Sequence, residues 1–133
     1  MVVKVAVLGD KKLQRALSRL AGGAQKKAVR KGLREAGRPI LTEAKRLVPR
    51  DSGDLARRLA LRALPRSRKR FGVQILVRGD NQTRQTGKAH HVELGTQHRP
   101  ATPYLRPALD NNRTRARRIF SKTVWNILRK VRA

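Results

Sequence analysis

Two long stretches of this chain carry apolar residues at every third or fourth position, and the stretch between them alternates instead. From about Gln25 to Leu47 the recurring positions are Val29, Leu33, Ala36, Ile40, Ala44 and Leu47. From Ala108 onward they are Leu109, Ala116, Phe120, Val124, Ile127 and Val131. That spacing puts one apolar stripe on a helix, with Lys and Arg filling the other faces. Between the two, Leu55, Arg57, Leu59, Leu61 and Ala63 share one register, and Phe71, Val73, Ile75 and Val77 another. A period of two is the signature of a strand with one face buried. The order predicts an α+β fold: a small, mainly antiparallel sheet packed with a long, kinked helix in the N-terminal half and a long C-terminal helix.

The punctuation refines this outline. Val3, Val5 and Val7 alternate with Val2, Lys4 and Ala6, predicting a first strand that ends at Gly9. Asp10 suits an N-cap for a short helix with Leu13, Leu17 and Leu20 on one face, closed by Gly22-Gly23. Pro39 falls inside the first long pattern, so a kink or a break is expected near Gly37. Val48 to Gly53 turns the chain, a strand runs from about Arg57 to Leu64, and Pro65 to Arg70 is a basic turn into the Phe71 strand. Arg78 to Lys88 shows no period and almost no apolar residue, which predicts a flexible loop at about 78–89. His90 to Pro107 is turn-rich, and Pro107 suits a first helical turn, where its missing N–H costs nothing. The whole, 1–133, reads as one domain.

Charge limits the partners. Thirty-four Lys and Arg face eight acids, a formal net charge of +26. Such a chain repels its own copies at low salt, so an anionic partner or counterions must meet it. Nucleic acid and an acidic protein surface both qualify. Only Phe71, Tyr104, Phe120 and Trp125 are aromatic, so the core is thin and neighbouring subunits are expected to add stability. The chain has no cysteine, which excludes disulfides and thiolate metal sites. No signal peptide or membrane span is legible, which predicts a protein of the cytoplasm or of a particle assembled there.

Candidate chemistry is weak. His90, His91, Glu93 and His98 are close in sequence, but their spacing matches no metal signature, and in a strand His91 and Glu93 would share a face without His90. His91 with Asn111 or Asn112 has the letters of a His–Asn nuclease without the acids to hold its metal. Glu35 and Glu43 are explained by surface ion pairs with Lys31, Arg38 and Arg46. Arg78-Gly79-Asp80 is a turn after a strand rather than an adhesion motif. No catalytic, cofactor or metal residue is therefore assigned, and no enzyme activity is expected. Basic clusters stand at Arg66, Arg68, Lys69 and Arg70, at Lys26, Lys27, Arg30, Lys31 and Arg34, and at Arg113, Arg115, Arg117, Arg118 and Lys122. They lack aromatic residues for stacking on bases, so the alternative function they support is non-specific nucleic-acid binding.

Two segments carry more information than any of these. Glu43 to Leu55 runs from a helix end through Val48-Pro49 to a turn with Ser52 before Gly53, then Leu55 and a basic strand. His90 to Leu109 holds Val92-Glu93-Leu94-Gly95-Thr96, then Pro103-Tyr104-Leu105-Arg106-Pro107-Ala108. Together they resemble the tail-completion protein family of long-tailed bacteriophages, the head–tail joining or minor tail proteins of the neck. The element order agrees, so the resemblance spans nearly the whole chain. Leu94 departs from the usual aromatic, and His90 from a common small or aromatic residue. A charge of +26 is extreme for such a protein.

The resemblance implies a structural virion protein that completes the head-proximal end of the tail and joins it to the DNA-filled head. It implies a ring of copies of itself, six to match tail symmetry. Head-closure or connector proteins would lie on one side and a tail terminator or tail-tube protein on the other. Genomic DNA would pass through the ring and touch it transiently; no membrane is involved. The implied structural residues are Pro49, Gly53, Leu55, Glu93, Gly95, Thr96, Pro103, Arg106 and Pro107. Gly95 would permit a tight turn. Glu93 would accept backbone N–H groups or pair with Arg106, anchoring the turn to the last helix. Pro103 and Pro107 would stiffen the approach. Arg113, Arg117, Arg118, Lys122 and Trp125, with the 78–88 loop, are the expected interface or DNA-facing residues.

Overall fold

The structure is a computed structural model that describes residues 11–19, 22–49, 53–65, 71–78 and 84–132. The expected first strand, Asp10, Leu20, the 66–70 cluster and the Gly79-Asp80 turn lie outside these. The elements run α1 (Lys11–Ser18), α2 (Gly22–Leu47), α3 (Asp54–Arg58), β1 (Leu59–Ala63), β2 (Val73–Val77), α4 (Arg84–Leu94) and α5 (Leu105–Arg132).

The core is a seam between the two long helices. On α2 the residues Ala28, Gly32, Ala36, Ile40 and Ala44 are buried four apart; on α5 Ala108, Asn112, Ala116, Phe120, Val124 and Leu128 are. The helices run antiparallel, because Gly32 lies against Phe120 and Val124 while Glu43, further along α2, lies near Asn111 towards the start of α5. Small residues on α2 face large ones on α5. A Cβ at Gly32 would stand 2.8 Å from Val124 Cγ2 and 2.9 Å from Phe120 Cδ2, so the helices approach too closely there for any side chain. Four-residue spacing on both helices is the pattern of i±4 ridges packing into grooves. The stripe on α5 differs in register from the expected one. Leu128 is in the core, while Val131 is 54% exposed and Leu109 and Ile127 sit on its margins.

Antiparallel pairing joins β1 to β2, from Leu59↔Val77 to Ala63↔Val73. Leu64 N donates to Gly72 O at 3.0 Å and Arg78 N to Arg58 O at 2.7 Å, closing the ladder at each end. One face of this hairpin packs on α2. A Cβ at Gly37 would lie 2.8 Å from Leu61 Cδ1, so glycine lets the hairpin settle on the helix. The Arg30 guanidinium stacks over the Phe71 ring, 5.6 Å from its centroid, at the entry to β2. From α1, Leu13 and Leu17 are buried beside the seam.

Several boundaries correct the sequence reading. Gly22 and Gly23 open α2 instead of closing α1; neither has an atom near its absent Cβ, so no packing demanded glycine there. No break occurs near Gly37. The helix continues through Pro39, because burial of Ala36, Ile40 and Ala44 on either side outweighs the one helical hydrogen bond a proline removes. Both strands are shorter than expected, and the residues before β1 form α3, with Leu55 turned into the core. Residues 84–89, expected to be loop, are the first half of α4. The last helix begins at Leu105, three residues earlier than its apolar pattern.

Candidate functional site

The segment between α4 and α5 is built around one buried carboxylate. Glu93, on the last turn of α4, is only 7% exposed. Its Oε2 accepts from Tyr104 N at 2.7 Å and Leu105 N at 3.0 Å, and its Oε1 accepts from Arg106 N at 3.2 Å. These are the first N–H groups of α5. A helix start leaves four such donors without an intrahelical partner. The fourth position is Pro107, which has no N–H, and Ala108 N already donates to Tyr104 O at 3.3 Å. Glu93 and Pro107 together account for every donor at this helix start. A carboxylate there also meets the positive end of the helix dipole.

Of the two roles expected for Glu93, the backbone one is what the geometry shows. Among the described residues no ion pair joins it to the Arg106 side chain, which is exposed. Two more bonds tie the same segment to α4: Thr102 N to Val92 O at 2.8 Å, and the Tyr104 hydroxyl to Ala89 O at 3.5 Å. Burial, and then the nearby Glu93 charge, push the Tyr104 hydroxyl up to about 12.

The turn between the helices is equally specified. Gly95 has φ +78°, and a Cβ there would stand 2.8 Å from Ala101 N. Both conformation and space require glycine at this position. Thr96 N donates to Arg99 O at 2.9 Å, while the Thr96 hydroxyl accepts from His98 N and Arg99 N at 3.3 and 3.2 Å. Pro103 is exposed and Pro107 half-buried. In the first motif, Val48 is buried and Pro49 exposed at the end of α2. Gly53 has φ +71° and its carbonyl accepts from Arg57 N at 3.1 Å, opening α3. No atom lies near its absent Cβ, so only its conformation calls for glycine.

The histidines do not converge with Glu93. That segment is helix, not strand, so His91 and Glu93 no longer share a face. His90, His91 and His98 are exposed, and Glu93 spends both oxygens on backbone donors. Among the described residues no three His, Asp or Glu side chains group to hold a metal. Glu35 and Glu43 form the expected ion pairs, to Arg38 at 3.2 Å and Arg46 at 2.6 Å. The Arg46 hydrogen bond, against some desolvation, holds the Glu43 carboxyl below its usual range, and the nearby Asn111 side chain adds to the effect.

The five residues expected to face a partner divide in two. Arg118 and Lys122 lie on the side of α5 opposite the core, whereas Arg113, Arg117 and Trp125 occupy one flank. Arg113 pairs with Asp110 at 3.1 Å, and Trp125 is half-buried against the core. Sequence reasoning gave Tyr104 no role, though it is 1% exposed and forms the hub of the α4–α5 junction. It also missed Asn112, buried on the seam with its amide donating to Ala108 O at 2.9 Å. Its step of four from Ala108 and Ala116 was a signal that its polarity hid.

Among the described residues no helix is long and apolar enough to cross a membrane. Comparison with known proteins gives one family. The model of the HK97-gp10-like family, described as "Bacteriophage HK97-gp10, putative tail-component", matches residues 11–102, about two thirds of the chain. The match runs from α1 through Glu93 and the Gly95 turn and ends just before α5. No curated protein and no solved structure matches the chain.

Proposed function

The chain belongs to the HK97-gp10-like family of phage tail components, and from that premise we propose that it acts at the neck, completing the head-proximal end of the tail as a ring. As a tail component it is a structural protein of the virion that works through other phage structural proteins. The finer reading joins this ring, of six copies, to a DNA-filled head, with connector proteins above and tail terminator or tube proteins below.

The observation that carries the reading is the α4–α5 junction. Four residues of the Val92-to-Ala108 motif that resembles tail-completion proteins have a physical task there. Glu93 and Pro107 close the helix start, Gly95 makes the turn, and Thr96 locks it. None of these atoms is left over for chemistry. The junction fixes how a helix of 28 residues leaves the body of the protein, which is the task of an assembly part. Two further features support a need for neighbours. Among the described residues, the large apolar side chains most exposed are Leu94, at 62%, and Val131, at 54%, at the ends of α4 and α5. A formal charge of +26 on a small domain is also more stable in an assembly that neutralises it.

Electron microscopy of lysates from a phage carrying a stop codon in this gene tests the assignment. Filled heads accumulating beside detached tails are expected. Joined, infectious particles at normal yield would remove the protein from the neck.

A further inference from the structure

The outward surface of α5 has a composition that the assembly reading does not account for. Its buried positions fall at every fourth residue from Ala108 to Leu128. Halfway between them, about 200° around the helix from each neighbour, stand Thr114, Arg118, Lys122, Asn126 and Lys130, all exposed. Arg115 is exposed on the shoulder of this line. After Asp110, which Arg113 engages, the remainder of α5 contains no acidic residue. Arg115, Arg118, Lys122 and Lys130 have no ion pair among the described residues.

A solvated helix face normally interleaves acids and bases, because opposite charges three or four apart stabilise it. This protein does so on α2, with Glu35–Arg38 and Glu43–Arg46. On the α5 line the neighbours at those spacings, Arg115, Arg118 and Lys122, have the same sign and repel. An anion lying across them relieves that repulsion. From Thr114 to Lys130 the line is roughly 24 Å long at 1.5 Å per residue. It is polar throughout, and without an apolar or aromatic centre.

The geometry points to duplex DNA as the partner of this ridge, held by its phosphates. A protein partner would call for a desolvated apolar or aromatic centre ringed by charge, and the line has none. A phosphate backbone needs only what is present: Arg and Lys for charge, Thr and Asn as hydrogen-bond partners. Along 24 Å a duplex offers roughly fourteen phosphates, so the ridge can engage several without bending the DNA. The contact carries no sequence information, because nothing on the ridge is arranged to read base edges. It is a property of α5 itself and does not depend on where in the particle the protein sits.

Fluorescence anisotropy of the purified full chain with a labelled short DNA duplex, between about 50 and 200 mM salt, tests this. Each phosphate contact contributes about 0.9 to the slope of log affinity against log salt. The combined variant Arg115→Ala, Arg118→Ala, Lys122→Ala and Lys130→Ala is expected to lower that slope by about 3 to 4. The variant Lys26→Ala, Lys27→Ala, Lys31→Ala and Arg34→Ala removes the same charge from α2, and is expected to change the slope by less than about 1. Circular dichroism confirms that both variants are folded. Equal falls in the two would mean that overall charge alone binds DNA, and would overturn the assignment. So would an unchanged slope in the α5 variant, or a wild-type chain that does not bind the duplex. Polyglutamate serves as a second probe: if the α5 variant loses it in the same proportion as DNA, the ridge is made for acidic protein and not for phosphate.

Discussion

Replacing Glu93 should cost this protein a large part of its stability, and the structure sets how large. The side chain receives three backbone N–H groups, from Tyr104, Leu105 and Arg106. Tyr104 and Leu105 are 1% and 3% exposed, so water does not replace the carboxylate at those two donors. Leaving a buried donor unsatisfied costs about 1–3 kcal/mol. The Arg106 N–H is only partly buried and can turn to water. Glu93→Ala should therefore destabilise by about 3–5 kcal/mol, out of the roughly 5–15 kcal/mol that holds a typical domain together. Glu93→Gln is the more discriminating variant. Its one oxygen can keep both bonds that Oε2 makes now, but its amide nitrogen then meets the Arg106 donor face to face. That change should cost about 1–2 kcal/mol, the value of one charged hydrogen bond and a helix cap. Urea unfolding followed by Trp125 fluorescence gives both numbers. With a slope near 2 kcal/mol per molar urea, the alanine variant should lose roughly 1.5–2.5 M in midpoint. An alanine variant within about 1 kcal/mol of wild type, or a glutamine variant as damaged as alanine, would refute the reasoning.

The two glycines with positive φ should respond differently. Gly53→Ala meets no atom and should lose only the conformational cost, about 1–2 kcal/mol. Gly95→Ala adds a backbone clash with Ala101 and should lose about 1–3 kcal/mol more in thermal unfolding; equal losses would deny the clash. Tyr104 is the sole tyrosine, so the rise of tyrosinate absorbance after rapid pH jumps reports it alone. Its midpoint should lie near pH 12 in the folded chain and near pH 10 in denaturant. The hydroxyl is neutral in both states at lower pH, so the folded state loses stability only as pH rises from about 10 through about 12. A native midpoint at 10 would show that the ring is not buried beside Glu93.

The parts of this fold legible in sequence are those where apolar residues do the positioning. Val73, Ile75 and Val77 alternate against Leu59 and Leu61, and the hairpin follows. Leu33, Ala36, Ile40 and Ala44 mark α2 in spite of Pro39. The 84–94 helix has no apolar period to be read, because among its described side chains the inward positions are Ala89, a half-buried Val92 and the carboxylate of Glu93. The start of α5 was misplaced for the same reason: Glu93, eleven residues upstream of Tyr104, starts that helix, and its own stripe does not. Glu93 and Gly95 were visible as parts of a motif, and their tasks followed from chemistry. Of the outward line of α5, Arg118 and Lys122 are legible in sequence as partner-facing, but the cluster Arg113 to Lys122 mixes faces of the helix that only the buried seam separates.

The seam between α2 and α5 also determines when the protein can fold. Gly32 meets Phe120, and Glu43 meets Asn111, across roughly seventy to ninety intervening residues. Closing the longer of these loops costs only about 0.2 kcal/mol more than the shorter, so pairing can start at the Asn111 end and zip outward at little extra entropy. Until α5 has left the ribosome, however, the stripe of α2 that meets Phe120 and Val124 has no partner. At about 5–20 residues per second the emerging chain spends seconds as an unfolded polycation beside ribosomal RNA. Completion of the α2–α5 seam is then a late event, and α2 must leave that polyanion for α5 before the seam can close.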